Sequence, residues 1–205
     1  MPAIILASAS PSRKKLLDAA GIASTVMISN VDEEAQAYTK LSPKEMVIAL
    51  AIVKAHTVRE RLSEPALIIA CDSTFEFEGQ SLGKPLDART ATARARALSG
   101  KSGYLHTGHC IIDTEKGMEL SDIETTKVTF SVMSDEEIAD YVASDEPLNV
   151  AGGFTLDGLS SAFISSIDGD YSNVIGLSIP LVRRMATHLG YSWPELKKLS
   201  ARVSA

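Results

Sequence analysis

Five charged side chains, at separate points of the chain, combine chemistry suited to a phosphorylated ligand and a divalent cation. Asp72 and Glu33 carry carboxylates, the hard oxygen ligands that Mg²⁺ takes together with phosphate oxygens. Lys54, Lys84 and Arg13 carry cations that can meet phosphate oxygens. These five residues form one site only if the fold brings them together, so the elements that carry them decide the question.

Asp72 follows the apolar run 66–71, which predicts a buried strand. An acid at the carboxyl end of such a strand lies where open α/β sheets bind ligands. The alternative is an aspartate that begins a turn or caps a helix. Glu33 belongs to the segment 31–34, whose last three residues are acidic, and such clusters are mostly solvated loops. Taken together, the two carboxylates are candidate metal ligands.

Lys54 falls on the apolar stripe of a predicted helix. Ser42–Glu45 forms a capping box with proline in the first turn, and the helix is predicted to run to about residue 62. A lysine on a buried face is unusual unless it is paired or extends its ammonium to water. Lys54 therefore either reaches solvent or holds its ammonium inside a cleft, where it meets an anion. The stripe comprises Val47, Leu50, Ala51 and Val58.

The turn Ser8–Arg13 joins a predicted strand to a predicted helix. Ser10 can cap this helix, and the backbone N–H groups and dipole of its first turn favour phosphate. Arg13 can add a bidentate clamp. Lys84 lies in the rigid tripeptide Gly83–Pro85, where an ordinary surface lysine is the alternative.

Strand and helix patterns alternate along the chain, which indicates an α/β or α+β protein with a mixed sheet. Strands are predicted at 4–7, 66–71, 75–79, 104–113, 118–133 and 163–167. Helices are predicted at 11–21, 42–62 and 87–100, and two more begin at Ser134 and Ile179.

The composition excludes several classes of protein. The chain has 205 residues, 45% of them hydrophobic, and a net charge of -6 without a basic run, so nucleic acid is not an expected partner. No stretch resembles a signal peptide or a membrane span. Cys71 and Cys110 lie in apolar runs, as expected for buried thiols in a reducing compartment. We therefore expect a cytoplasmic protein. The four histidines lack zinc-site spacing, and no Walker A or G-x-S-x-G motif is present.

Motifs along nearly the whole chain resemble those of the Maf family, also called septum formation inhibitor Maf. The resemblance begins with the opening segment 6–17 and continues through 31–33, Lys54-Ala55, Cys71-Asp72-Ser73 and Gly83-Lys84-Pro85. It includes Thr107-Gly108 and Ala151-Gly152, and it ends with the segment 167–177.

This resemblance implies a single domain, residues 1–205, with a two-lobed inosine-triphosphatase-like α/β fold, a central cleft and often a dimeric state. It implies hydrolysis of nucleoside triphosphates to monophosphates and pyrophosphate with a divalent metal, Mg²⁺ or Mn²⁺. Asp72 matches the general base or metal-binding carboxylate, with Glu33 as the other metal ligand and Lys54 and Lys84 as catalytic cations. The implied substrate-binding residues are Ser8, Ser10, Ser12, Arg13, Ser73 and Asp157.

Three positions depart from the family branches with known base preference. Ser12 replaces the first arginine of a usual pair, Ser73 replaces a threonine, and Asp157 stands where glutamine or glutamate is found. The base preference therefore stays open. The alternative function is a nucleotide-binding regulator of septum formation without significant catalysis. A nucleotidyltransferase is disfavoured because the chain lacks a G-x-G-x-R opening.

Overall fold

A computed structural model describes residues 2–33, 35–38 and 40–200, and within them seven strands form one mixed sheet. Glu34, in the predicted acidic run, lies outside the described residues. The strands are β1 (Ala3–Leu6), β2 (Thr25–Val26), β3 (Ala66–Phe77), β4 (Gln80–Leu82), β5 (Ser102–Asp113), β6 (Met118–Phe130) and β7 (Ile164–Asp168). The helices are α1 (Pro11–Ala19), α2 (Pro43–Arg59), α3 (Ala88–Leu98), α4 (Asp135–Ala143), α5 (Tyr171–Ile175), α6 (Ile179–His188) and α7 (Trp193–Ser200). Short 3₁₀ turns occupy Glu146–Asn149, Ala151–Gly153 and Leu159–Phe163.

The sheet order is β2-β1-β3-β5-β6-β7, with β4 beside β3. β1 is parallel to β2 and β3, and the other pairs are antiparallel. The predicted α/β class with a mixed sheet is therefore confirmed. Within the described residues, no helix has the length and apolar character needed to cross a membrane.

Alternate residues of the central strands enter two different cores, as the two-residue period of a strand requires. Ile68 and Ala70 pack against Ala51, Ala55 and other residues of α2. Leu67, Ile69 and Cys71 face the opposite way, into the core formed with α1, α6 and α7. Both cysteines are free and buried, as predicted.

Gly108 permits α2 to lie very close to the sheet. It pairs with Asp72 across β3 and β5. A Cβ atom at Gly108 would lie 2.3 Å from the backbone oxygen of Val47, so any side chain there would push α2 outward. Val47 and Lys54 are seven residues apart, two helical turns, and therefore share a face of α2. The glycine thus lets α2 bring Lys54 down towards Asp72.

One edge of β3 is interrupted beside Asp72. β5 covers the other edge continuously from Leu67 to Glu76. On the interrupted edge, β1 pairs with Ala66–Ile69 and β4 pairs with Phe75–Phe77. Among the described residues, 70–74 therefore lack a neighbouring strand on that side. We call this stretch the β3 gap, and the cleft opens here.

The sequence interpretation of Asp72 as the end of a strand is wrong. The predicted strands 66–71 and 75–79 are one strand, and Asp72 lies in its middle. The reason is the antiparallel pairing with β5, which holds the chain extended through Glu76. The parallel pairing with β1 does end at Ile69, so Asp72 still lies just beyond the carboxyl end of the parallel part of the sheet.

Candidate active site

All ten residues predicted for the site line one cleft of about 480 Å³. It lies where β1 ends and is bounded by the turn before α1, the segment 28–33, β3 and the segment 149–157. This volume is within the usual range for small-molecule sites. The cleft-lining predicted residues are Ser8, Ser10, Ser12, Arg13, Glu33, Lys54, Asp72, Ser73, Lys84 and Asp157.

Lys54 bridges two carboxylates at the floor of the cleft. Its Nζ lies 2.6 Å from Oδ1 of Asp72 and 2.6 Å from Oε1 of Glu33. Lys54 is 5% exposed and Asp72 is 7% exposed. The solvent-reaching alternative for Lys54 is therefore wrong, and the lysine is a buried, paired ammonium. Its two partners come from β3 and from the irregular segment before α2.

The charge of Lys54 keeps Glu33 ionised. Burial alone would raise the pKa of Glu33, because it disfavours the charged form. The hydrogen bond and positive charge of Lys54 act in the opposite direction, with smaller contributions from Lys84 and Arg13, and the pKa of Glu33 falls below its usual value. The cleft therefore holds an anionic carboxylate within a cationic surrounding.

Arg13 is buried against the β3 gap rather than projecting freely into the cleft. Its Nε donates to the carbonyl oxygen of Gly176 at 2.7 Å. One terminal nitrogen donates to Ser8 Oγ at 3.1 Å and to the Cys71 carbonyl at 2.9 Å, and the other donates to Ser73 Oγ at 2.9 Å. Arginine has five N–H donors, so one remains. The bidentate clamp on phosphate that Arg13 could add would need two free donors, and Arg13 has only one.

The remaining predicted residues lie at the rim and in the turn before α1. Ser10 caps α1 by accepting from the Arg13 N–H, as its sequence position predicts. Ser12 Oγ donates to Asp157 Oδ2 at 3.1 Å, which joins α1 to the segment before the last 3₁₀ turn. Lys84 is exposed, and its charge acts on Glu33. Lys84 is thus available to an anion that enters from solvent.

The donor set fits a hard divalent cation held jointly with a phosphorylated ligand. Mg²⁺ is usually bound through one or two carboxylates together with substrate phosphates and water. Glu33 and Asp72 each have a second oxygen beyond the one that contacts Lys54. Within the described part of the chain, no group of three or more His, Cys, Asp or Glu residues could form a complete protein cage. The residues therefore suit a metal that arrives with its ligand.

Three positions that matter for the site geometry were given no role from the sequence. Gly108 allows the close approach of α2 to the sheet, and a glycine inside a strand is a sequence signal for such an approach. Gly176, at φ 118°, places its carbonyl against Arg13. His109 is fully buried; its Nδ1 donates to the Thr107 carbonyl, and its Nε2 accepts from the backbone N–H of Ser178. Burial, assisted by the charge of Arg13, lowers the pKa of His109 to about 3, so the ring is neutral.

The fold and the site define an α/β protein with one polar cleft that carries buried carboxylates and cations. A family model described as Maf-like protein matches residues 3–189. A nucleoside triphosphate pyrophosphatase of Streptomyces coelicolor is 52% identical over 194 residues, which covers 94% of this chain and 93% of the relative. One of Streptomyces avermitilis is 48% identical over 194 residues, with the same coverage. The chain belongs to the Maf family, as its motifs predicted.

The solved structures that the chain matches include a nucleoside-triphosphatase described as a dITP/XTP pyrophosphatase from Mycobacterium abscessus. It is 11% identical, has a TM-score of 0.41, and covers 96% of this chain and 97% of its own.

Proposed function

We propose that this Maf-family protein is a nucleoside triphosphate pyrophosphatase, the activity for which its relatives are named. The observation that carries the proposal is the buried ammonium of Lys54 between Asp72 and Glu33, in one cleft with the helix start at Ser10 and the exposed Lys84. Cations and a helix N-terminus suit a polyphosphate, and the buried carboxylate of Asp72 suits an attacking water.

In the proposed reaction, a water oxygen forms a bond to the α-phosphorus and the bond from that phosphorus to the bridging oxygen of the β-phosphate breaks. Asp72 accepts the proton of the water as general base; as a metal ligand it would instead hold a cation that would lower the pKa of the water. Pyrophosphate leaves with the electron pair of the broken bond. Lys54 and Lys84 neutralise the charge that develops on it, which is the main catalytic contribution in reactions of this type.

We propose that Glu33 and Asp72 would hold Mg²⁺ or Mn²⁺ together with the substrate phosphates. The ion would neutralise phosphate charge and activate water. The positions of Ser8 and Ser10 at the turn before α1 support a role in binding the phosphates.

The bond that is cut tests this function. GTP or UTP is incubated with the purified chain and Mg²⁺ or Mn²⁺, and the products are separated by ion exchange. We expect the nucleoside monophosphate and pyrophosphate as primary products. A nucleoside diphosphate with orthophosphate would refute attack at the α-phosphorus. Nucleotide binding without turnover under all conditions would favour the regulator of septum formation.

For base preference, we propose that Asp157 disfavours UTP and dTTP. An ionised carboxylate accepts two hydrogen bonds and donates none. Guanine presents adjacent N1–H and N2–H donors, whereas uracil and thymine present one N3–H between two carbonyl oxygens. The Ser12 hydroxyl uses one lone pair of Oδ2 of Asp157, so both carboxylate oxygens can still accept from a base.

Replacement of Asp157 by glutamine tests this preference, because the amide offers one donor and one acceptor. Asp157 is exposed, and a bound base would cover it; an unpaired polar group buried in this way costs about 1–3 kcal/mol, so Asp157→Gln should raise the UTP-to-GTP ratio of kcat/KM by up to about a hundred-fold. A wild-type preference for UTP or dTTP would refute the idea.

A homodimer stays a prediction of the family resemblance, to be checked by light scattering.

A further inference from the structure

The β3 gap leaves the Cys71 carbonyl without a neighbouring strand, and Arg13 supplies its hydrogen-bond donor. In the ladder, the Ile69 carbonyl points towards β1 and accepts from the backbone N–H of Ala7 at 2.8 Å. Because alternate carbonyls of a strand share a direction, the Cys71 carbonyl points the same way, into the gap. A buried carbonyl without a partner is costly. Arg13 supplies the missing donor, at 2.9 Å.

Arg13 holds the strand on both sides of Asp72. It donates to the carbonyl of Cys71, immediately before Asp72, and to the hydroxyl of Ser73, immediately after it. The same guanidinium contacts Ser8 in the turn before α1 and Gly176 after α5. Arg13 thus connects the carboxylate-bearing strand with two walls of the cleft through one rigid planar group.

The direction of the hydrogen bonds extends this connection further. Thr107 Oγ1 donates to the Asn173 carbonyl at 3.3 Å, and its single proton is used there. Thr107 therefore accepts from Ser73, whose hydroxyl lies 2.9 Å away but 3.5 Å from its other acceptor, the Gly176 carbonyl. Ser73 in turn accepts from Arg13. The chain of bonds runs from Arg13 through β3 and β5 to α5, so the rotamer of Ser73 depends on Arg13.

We infer that Arg13 is a positioning residue: it stands in for the missing strand beside Asp72 and sets the position of Asp72 relative to the phosphate-binding turn. This inference rests on the proposed pyrophosphatase activity. Four of its five donors serve the protein, and Arg13 is only 9% exposed. A phosphate ligand would need donors that point into the cleft, as Lys84 can provide.

Arg13→Lys separates the two roles, because lysine keeps the charge but loses the planar fork. Misplacement of a catalytic group by about 1 Å can cost about 10²-fold in rate. We therefore expect kcat to fall about 10²-fold. KM and the inhibition constant of pyrophosphate should stay within about three-fold, because four of the five donors of Arg13 serve the protein and not the ligand. In the comparison variant Lys84→Met, pyrophosphate inhibition should weaken together with the fall in kcat, because Lys84 is proposed to neutralise the leaving pyrophosphate, whereas Arg13→Lys should lower kcat alone.

Ser73→Ala provides a second, independent test, since it removes one acceptor of Arg13 and keeps the arginine. It should lower kcat without weakening pyrophosphate inhibition, and the double variant should be no slower than Arg13→Lys alone, because both changes break one network. If Arg13→Lys does not fold, as judged by circular dichroism, Ser73→Ala decides the question alone. An unchanged kcat in Ser73→Ala overturns the inference.

A rise of ten-fold or more in KM and in the pyrophosphate inhibition constant of Arg13→Lys, with kcat retained, also overturns the inference. Additive losses in the double variant do the same. Failure of the proposed function is distinguishable, because the wild type would then release no pyrophosphate or would not be inhibited by it.

Discussion

Lys54→Met tests the arrangement at the floor of the cleft most directly. Methionine approximates the length of lysine and removes only the ammonium, which lies 2.6 Å from a carboxylate oxygen of both Asp72 and Glu33. The side chain of Asp72 is 10% exposed and that of Glu33 is 48% exposed. Glu33 can therefore regain water in the variant, whereas Asp72 stays largely desolvated.

The size of the effect follows from this asymmetry. Removing one partner of a fully buried ion pair costs about 3–5 kcal/mol, because a charge is left uncompensated. With one of the two carboxylates half exposed, we expect a loss of about 2–3 kcal/mol in the free energy of unfolding. For a chain of this length, 1 kcal/mol corresponds to about 2–4 °C, so Tm should fall by about 4–12 °C.

The assay is a thermal melt at pH 7 in EDTA, so that no divalent cation replaces the ammonium. Lys84→Met is the control, since it removes an exposed lysine of the same cleft and should leave Tm nearly unchanged. The double variant Lys54→Met, Asp72→Asn should regain part of the loss, because both charges are then absent. An unchanged Tm in Lys54→Met, or a double variant less stable than the single one, would refute the reasoning. In turnover, kcat/KM of Lys54→Met should fall about 10²–10³-fold, the usual cost of removing one charge-stabilising group.

Three further predictions follow from the same geometry. Asp72→Asn should fold and lose about 10²–10⁴-fold in kcat; near-normal turnover of the folded variant would exclude Asp72 as the general base. Gly108→Ala should cost about 1–3 kcal/mol of stability, because its Cβ meets the Val47 backbone oxygen. It should also lower kcat, because α2 moves Lys54 away from Asp72. A Tm and a kcat equal to those of the wild type would contradict this prediction. The pKa of His109 is lowered from 6.5 to about 3, so its contribution to stability is full above pH 6.5 and decreases as the pH falls from 6.5 towards 3. The free energy of unfolding, measured by urea, should therefore fall less between pH 6.5 and 5 in His109→Gln than in the wild type. Equal falls in the two proteins would contradict this prediction.

The sequence predicts the site best where a local pattern fixes a direction in space. The capping box at Ser42–Glu45 and the apolar stripe of α2 placed Lys54 on the buried face, and the structure confirms both. The serine and proline before Arg13 likewise predicted the start of α1 correctly. Such predictions succeed because helix caps and helical periodicity depend on residues within one or two turns.

The partners of these residues could not be predicted, because they are set by contacts far apart in the chain. Lys54 and Asp72 are 18 residues apart, and Arg13 and Gly176 are 163 apart. The sequence therefore left the clamp role of Arg13 open, although its donors are mostly consumed within the protein. The continuous β3 was also missed, since the polar residues after Cys71 end the apolar run without ending the strand.

The interruption beside β3 connects these observations. A strand that continued β1 past Leu6 would satisfy the Cys71 carbonyl, but it would cover the edge of β3 at which the cleft opens beside Asp72. The chain instead turns away at Ser8 and begins α1, which leaves the helix N-terminus and the carboxylate on the same opening. The unpaired ladder position then needs a donor that occupies little space, and the planar guanidinium of Arg13 meets that need while the cleft stays open. The same break in the sheet thus creates the binding site and accounts for an arginine whose main partners are backbone carbonyls and hydroxyl groups.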